Sequence, residues 1–156
     1  MDWDKALRGF RLHLKLERSL SDRTIAAYMG DLTKLRGYAE ERSLPPAGLS
    51  LEALQQFAAG LSRAGDSSAS QARRLSAVRM FHRYLRLEKA IADDPSALLE
   101  SPRLGRRLPV FLTVEEVNAI SDAVDLSRPL AHRDKAIVET LYGCGLRVSE
   151  LCGLRL

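Results

Sequence analysis

The chain has 156 residues, of which 46% are hydrophobic and 28% charged, a composition typical of a globular protein with a packed core. Its apolar runs are too short to cross a bilayer and its first residues lack a signal-peptide pattern, so we expect a cytoplasmic protein without a membrane anchor. The two cysteines, Cys144 and Cys152, are too few for a disulfide framework or a zinc site.

Helical periodicity extends through the first part of the chain. The first helix is predicted to begin near Asp2, and Ser21 and Ser50 are predicted N-caps of a second and a third helix. A turn at residues 65–68 precedes a fourth helix that spans about residues 70–89. The side chains predicted to face a common core are Trp3, Leu7, Phe10, Leu14, either Leu16 or Leu20, Ile25, Tyr28, Leu32, Leu35, Tyr38, Leu51, Leu54, Phe57 and Leu61.

Proline-containing segments separate these helices from the rest of the chain. Residues 90–110 are predicted to form an extended linker with one helical turn. A capping box at Thr113 and Glu116 begins a fifth helix, another helix follows Pro129, and a short last helix surrounds Arg147. The predicted fold is therefore mainly α, with a four-helix domain, a linker, and the first helices of a second domain.

The net charge of +4 is concentrated in the middle of the chain. Residues 68–110 carry 9 basic and 4 acidic side chains, whereas residues 1–67 carry 10 and 9, and residues 111–156 carry 5 and 7. A local excess of positive charge is typical of a protein that binds a polyanion.

The fourth helix is amphipathic, with arginines opposite its apolar side. On a helical wheel Arg79, Arg83 and Arg86 cluster together, and Ser76 lies beside them. Arginine suits phosphate because its planar guanidinium donates paired hydrogen bonds and remains charged. Ser76 and His82 are expected to add hydrogen bonds to DNA. The alternative is an ordinary solvated face, although such faces usually mix charges of both signs.

The linker carries three further arginines, Arg103, Arg106 and Arg107. They either follow a phosphate backbone between two domains or are incidental charges on a soluble linker.

The most specific pattern lies near the end of the chain. Residues 133–136 read Arg-Asp-Lys-Ala, and residues 142–154 read Tyr-Gly-Cys-Gly-Leu-Arg-Val-Ser-Glu-Leu-Cys-Gly-Leu. Together with residues 21–32, 72–79 and 93–109, they resemble the tyrosine recombinases of the phage integrase family, in particular the Xer group with its XerC and XerD branches. The resemblance covers the whole chain as an N-terminal portion of such a protein.

This resemblance implies a SAM-like core-binding domain over residues 1–89, a linker over 90–110, and the start of a catalytic domain over 111–156. In the family the second and fourth helices face the major groove of DNA. By matching position, the expected DNA contacts are Thr24, Tyr28, Arg73, Ser76, Arg79 and Arg83. The linker arginines Arg106 and Arg107 are added because of their charge in the interdomain segment.

Arg147 matches the first catalytic arginine of the family, and Glu150 is expected to orient it. In the family a tyrosine attacks the scissile phosphate and forms a phosphotyrosyl link, so cationic donors stabilise the charge that develops on the phosphate oxygens. The family's other catalytic residues lie beyond the first arginine, so we expect these 156 residues to be inactive in strand cleavage by themselves.

The resemblance also implies that the reaction needs no metal or cofactor, and it implies partners. They are a double-stranded DNA recombination site and a second related recombinase in a tetrameric synapse, which acts in chromosome dimer resolution. The apolar residues of 111–156 have no evident core to cover them, so we expect this segment to self-associate with another copy of the chain, to pack on the first domain, or to be loosely ordered. Two alternatives to the recombinase function are a stand-alone, non-catalytic helical DNA-binding module and a helical interaction module whose basic face is incidental.

Overall fold

The computed structural model describes residues 1–103, 105 and 110–155. The chain divides into two compact units, Met1–Gly105 (unit 1) and Arg106–Leu156 (unit 2). Every regular element in the described residues is helical, which confirms the prediction of a mainly α fold. None of the helices described is both long and apolar enough to cross a bilayer.

Unit 1 contains four α-helices, as the periodicity of the sequence predicts. They are α1 (Trp3–Leu16), α2 (Asp22–Glu40), α3 (Leu51–Arg63) and α4 (Ser68–Leu87), with a short 3-10 turn at Pro46–Gly48 before α3. Helix α4 packs against each of the other three helices, and α1 also packs against α2. The basic helix is therefore the central element of the unit.

Side-chain caps determine where these helices begin. The side chains of Asp2, Ser21 and Ser50 each accept a backbone N–H three residues on, and the caps at Ser21 and Ser50 were predicted for α2 and α3. Helix α4 begins two residues earlier than predicted, because the Ser67 hydroxyl caps it by accepting the Ser70 N–H at 3.3 Å.

The core of unit 1 is built around aromatic side chains of α1 and α4. Phe10 and Phe81 are fully buried and meet edge to face, and Trp3 stacks on Phe81. The Trp3 indole N–H donates to the Leu44 carbonyl at 3.0 Å, which satisfies the polar atom of this buried ring. Leu20 packs against the core while Leu16 is exposed.

The segment after α4 folds back onto the helices of unit 1, and we call residues 94–101 the folded-back segment. A 3-10 turn at Pro95–Leu98 packs against α3 and α4, and the side chains of Ser96 and Leu99 are buried. The first half of the predicted linker is therefore part of the packed unit, which extends to Gly105. An apolar anchor at Leu99 accounts for this docking.

Unit 2 contains α5 (Val114–Asp122), α6 (Ala131–Cys144) and α7 (Val148–Leu151). Helix α5 begins at the predicted capping box, in which Thr113 and Glu116 exchange hydrogen bonds. Among the described residues of this unit Ala131 alone is buried. The large apolar side chains that remain exposed include Val110, Phe111, Leu112, Val114, Ile120, Leu126, Leu130, Ile137, Tyr142, Val148 and Leu154.

Candidate nucleic-acid interface

The outward side of α4 carries cationic groups that are free for a ligand. Arg83 and Arg86 are exposed, and neither pairs with an acidic side chain in the part of the chain that the structure describes. Ser76 is also exposed, and its hydroxyl donates to the Ala72 carbonyl at 3.0 Å. The predicted surface of arginines therefore exists at Arg83 and Arg86, with a serine acceptor beside it.

Arg79 lies at the edge of this surface and is half-buried. Its Nη2 donates to the Leu99 carbonyl at 2.7 Å and to the Ser101 hydroxyl at 3.0 Å. The guanidinium therefore contacts the folded-back segment of unit 1, a contact that the helical wheel does not predict.

Arg73 is held by an acidic group between α2 and α4. Its guanidinium pairs with the Asp31 carboxylate and lies 3.4 Å from the Ala27 carbonyl, although the side chain is 45% exposed. The adjacent Arg74 is buried and lies 3.3 Å from the other oxygen of Asp31, and it also pairs with Asp66. Buried charges are stable in proteins when they are paired in this way.

This ionic network is absent from the sequence-based prediction. A signal was available, because Asp31 adjoins Leu32 and falls on the apolar side of the α2 periodicity between Tyr28 and Leu35. An acidic residue in that position requires a cationic partner from a neighbouring helix. The network connects α2 to α4, the two helices that carry most of the predicted DNA contacts.

The two candidate residues of α2 lie at the helix surface. The Thr24 hydroxyl is 2.9 Å from the Ser21 hydroxyl, and the Thr24 N–H donates to the same Ser21 oxygen at 3.2 Å. Tyr28 is half-buried and packs against the hydrophobic core. Both residues therefore have structural contacts at the beginning of α2.

The expectation that His82 contacts DNA is wrong. The ring is buried, and its Nδ1 lies 2.9 Å from the Val78 carbonyl, so Nδ1 carries the donated proton. Burial lowers the pKa of this imidazole, and the Val78 hydrogen bond and the charge of Asp94 oppose that shift only in part. His82 belongs to the core because it lies on the inner side of α4, next to Phe81.

Unit 2 presents Arg147 at a tight corner between α6 and α7. Gly145 ends α6 with φ of 63°, a left-handed conformation that favours glycine. The Glu150 carboxylate accepts the Arg147 backbone N–H at 2.7 Å and its Nη1 at 3.1 Å. The side chain nevertheless stays 83% exposed, so Glu150 contacts a guanidinium that remains accessible.

Two of the predicted DNA contacts, Arg106 and Arg107, lie outside the described residues. Over the residues that are described, there is no cluster of three or more His, Cys, Asp or Glu side chains able to hold a metal ion. Cys144 and Cys152 are free thiols on the surface of unit 2.

Models of known protein families match residues in both units. Residues 7–89 match the phage integrase N-terminal SAM-like domain, and residues 110–156 match the phage integrase family domain. The chain belongs to the phage integrase family.

Similar proteins within this family are Xer recombinases. The chain is 45% identical over 139 residues to tyrosine recombinase XerD of Vibrio vulnificus, covering 89% of this chain and 46% of that protein. It is 41% identical over 150 residues to tyrosine recombinase XerC of Myxococcus xanthus, covering 96% and 50%. Tyrosine recombinase XerC of Pseudomonas syringae is 40% identical over 154 residues, covering 98% and 52%. The chain spans about half the length of the curated relatives it matches.

Proposed function

We propose that this chain binds duplex DNA as the N-terminal part of a site-specific tyrosine recombinase of the Xer kind. In this assignment residues 1–89 form the core-binding domain, residues 90–110 the linker, and residues 111–156 the start of the catalytic domain. The family matches at 7–89 and 110–156 support the division.

The observation that carries the proposal is a pair of exposed guanidinium groups on α4 that have no acidic partner among the described residues. Arg83 and Arg86 are one helical turn apart on the outward side of the helix, where their N–H donors are available to phosphate oxygens. A solvated face without a binding role usually carries acids among its basic residues. Helix α4 has no acidic residue between Ser68 and Leu87.

Arg147 is proposed as a phosphate-binding residue of the strand-transfer reaction. Its exposure leaves the guanidinium free to contact non-bridging phosphate oxygens, and the Glu150 contacts reduce the number of orientations it samples. A preorganised cation stabilises the charge of the transition state without rearrangement during the reaction. The tyrosine that attacks the phosphate would come from elsewhere in the recombinase.

The proposal extends to partners and location. We propose that a second related recombinase joins the complex on the recombination site, that the synapse is tetrameric, and that the reaction resolves chromosome dimers in the cytoplasm. We also propose that the chain self-associates through residues 111–156, because the apolar side chains of this segment are exposed.

The DNA-binding proposal predicts a specific effect of Arg83→Gln. Binding of the chain to a fluorescein-labelled random-sequence duplex is measured by anisotropy over a series of salt concentrations. Because one phosphate contact is lost, the slope of log K against log salt becomes shallower by about 0.9. Arg63→Gln is the matched control, since Arg63 is an exposed arginine in the last turn of α3.

The control is expected to retain the wild-type slope. Absence of salt-dependent binding by the wild-type chain would contradict the proposed function. Equal slopes for the Arg83 variant and the wild type would remove Arg83 from the interface.

A further inference from the structure

The folded-back segment of unit 1 is held by more than one kind of contact. Its turn is fixed internally, because the Asp94 carboxylate accepts the Ser96 N–H at 2.9 Å and the Leu99 N–H donates to the Ser96 carbonyl at 3.2 Å. Leu99 is then buried in the hydrophobic cluster of the unit. The chain is thus docked onto α3 and α4 before it reaches the linker arginines.

Arg79 closes this docking from the α4 side. One nitrogen, Nη2, donates both to the backbone carbonyl of Leu99, the last buried residue in the described part of unit 1, and to the hydroxyl of Ser101. Hydrogen bonds from a charged donor are stronger than those between neutral groups, and partial burial protects them from water. The neighbouring cations of α4, Arg83 and Arg86, make no such contact in the described part of the chain.

We propose that Arg79 is a positioning residue, which fixes the point where the interdomain segment leaves the DNA-binding surface, and is not itself a phosphate contact. The inference rests on the proposed DNA-binding function. It assigns different roles to two arginines that are one helical turn apart, namely Arg83 to phosphate and Arg79 to the linker.

The contact of Arg79 with residues 99–101 affects the arginines that follow these residues in the sequence. Arg103 is two residues beyond Ser101, so the Cα atoms of these two residues stay within about 7 Å of each other even in an extended chain. Arg103 is exposed, and further along the sequence come Arg106 and Arg107. Holding residues 99–101 against α4 therefore keeps Arg103 near the arginine surface and reduces the conformational entropy that this residue loses on binding DNA.

The contact of Arg79 with Leu99 and Ser101 is tested first without DNA. In Arg79→Gln, trypsin cleavage after Arg103 is expected to accelerate about tenfold. The reason is that a charge-assisted hydrogen bond, which opposes local opening of the folded-back segment, is lost. Ser101→Ala removes one of the two acceptors and is expected to give a smaller acceleration. Arg83→Gln is the control and should be cleaved at the wild-type rate, as should a variant with an unrelated exposed change, Arg63→Gln.

The DNA readout separates positioning from direct phosphate contact. For Arg79→Gln, affinity for the random-sequence duplex is expected to fall on the order of fivefold through the added ordering cost, with the salt slope unchanged. A direct phosphate contact would instead make the slope shallower by about 0.9, as expected for Arg83→Gln. Urea unfolding followed by Trp3 fluorescence verifies that each variant is folded.

The outcomes are distinguishable. A shallower slope for Arg79→Gln, or unchanged cleavage after Arg103, would overturn the positioning role while leaving the DNA-binding function intact. Unchanged affinity at every salt concentration would also overturn it. Failure of the wild-type chain to bind the duplex would remove the proposed function itself, whereas the cleavage rates would still report whether Arg79 holds the segment.

Discussion

His82 is a titratable side chain enclosed by the core of unit 1. Its Nδ1–H donates to the Val78 carbonyl, while Nε2 is buried and has no hydrogen-bond partner among the described residues. Protonation would place a charge and an unmatched donor in an apolar environment. The neutral ring is therefore the form that is compatible with the native packing.

This environment predicts a pH-dependent stability. Because burial lowers the pKa of His82 in the folded state, the unfolded chain binds more protons than the folded chain below the ordinary histidine pKa of 6.5. The free energy of unfolding is therefore expected to decrease as the pH falls from 6.5 toward the lower native pKa. Urea unfolding followed by the fluorescence of Trp3, the sole tryptophan, measures it.

The contribution of His82 is isolated by His82→Leu. This variant lacks the titrating group, so its stability should change less between about pH 7.5 and pH 5.5 than that of the wild type. His132→Gln serves as the control because His132 is exposed on α6 in unit 2. If the wild type and His82→Leu lost equal stability over this range, another group would be responsible.

At the scale of elements, the pairing of α2 with α4 depends on a buried carboxylate. Asp31 of α2 contacts both Arg73 and Arg74 of α4, and Arg74 is itself buried. The same contacts orient Arg73, whose remaining exposure allows a second ligand. Stability and the geometry of the proposed DNA-binding surface are therefore connected through one residue.

Asp31→Ala is expected to lower the free energy of unfolding by about 3 kcal/mol, because it leaves a buried guanidinium without one of its acidic partners. Asp22→Ala provides the comparison, since Asp22 is an exposed carboxylate of α2 that lies 3.3 Å from Lys15. A surface pair of this kind contributes at most about 1 kcal/mol. Equal losses in the two variants, measured by urea unfolding, would show that the buried network does not stabilise the helix pair.

At the scale of the whole molecule, the two units differ in how much apolar surface they bury. Unit 1 encloses a continuous cluster contributed by all four helices, whereas the described part of unit 2 leaves Phe111, Ile120 and Val148 exposed. Apolar surface of this extent favours association with another surface. Cooperative stability is therefore expected to reside in unit 1.

This contrast predicts that residues 1–156 associate in a concentration-dependent manner while the polypeptide 1–105 remains a monomer. Sedimentation velocity over a dilution series measures the difference. Trp3 fluorescence should report nearly the same urea midpoint for both, since Trp3 is buried in the core of unit 1. A monomeric chain of 156 residues at all concentrations would contradict self-association through 111–156.

Local sequence signals determined much of this architecture. Apolar spacing, capping serines and the capping box at Thr113 and Glu116 predict the helices because each depends on residues within one or two turns. The Arg147–Glu150 contact was predictable for the same reason. A motif around Arg147 also indicated the family, since its residue types and spacing are specific.

Tertiary packing alone decided which group each charged side chain of α4 contacts. Arg79 and Arg83 lie on the same side of the α4 helical wheel, yet Arg79 donates to the Leu99 carbonyl whereas Arg83 is exposed, and Arg73 pairs with Asp31 of α2. Those partners are between 20 and 42 residues away in the sequence. A periodicity within one helix contains no information about such distant groups, and burial of Asp31 and Leu99 is what fixed the choice.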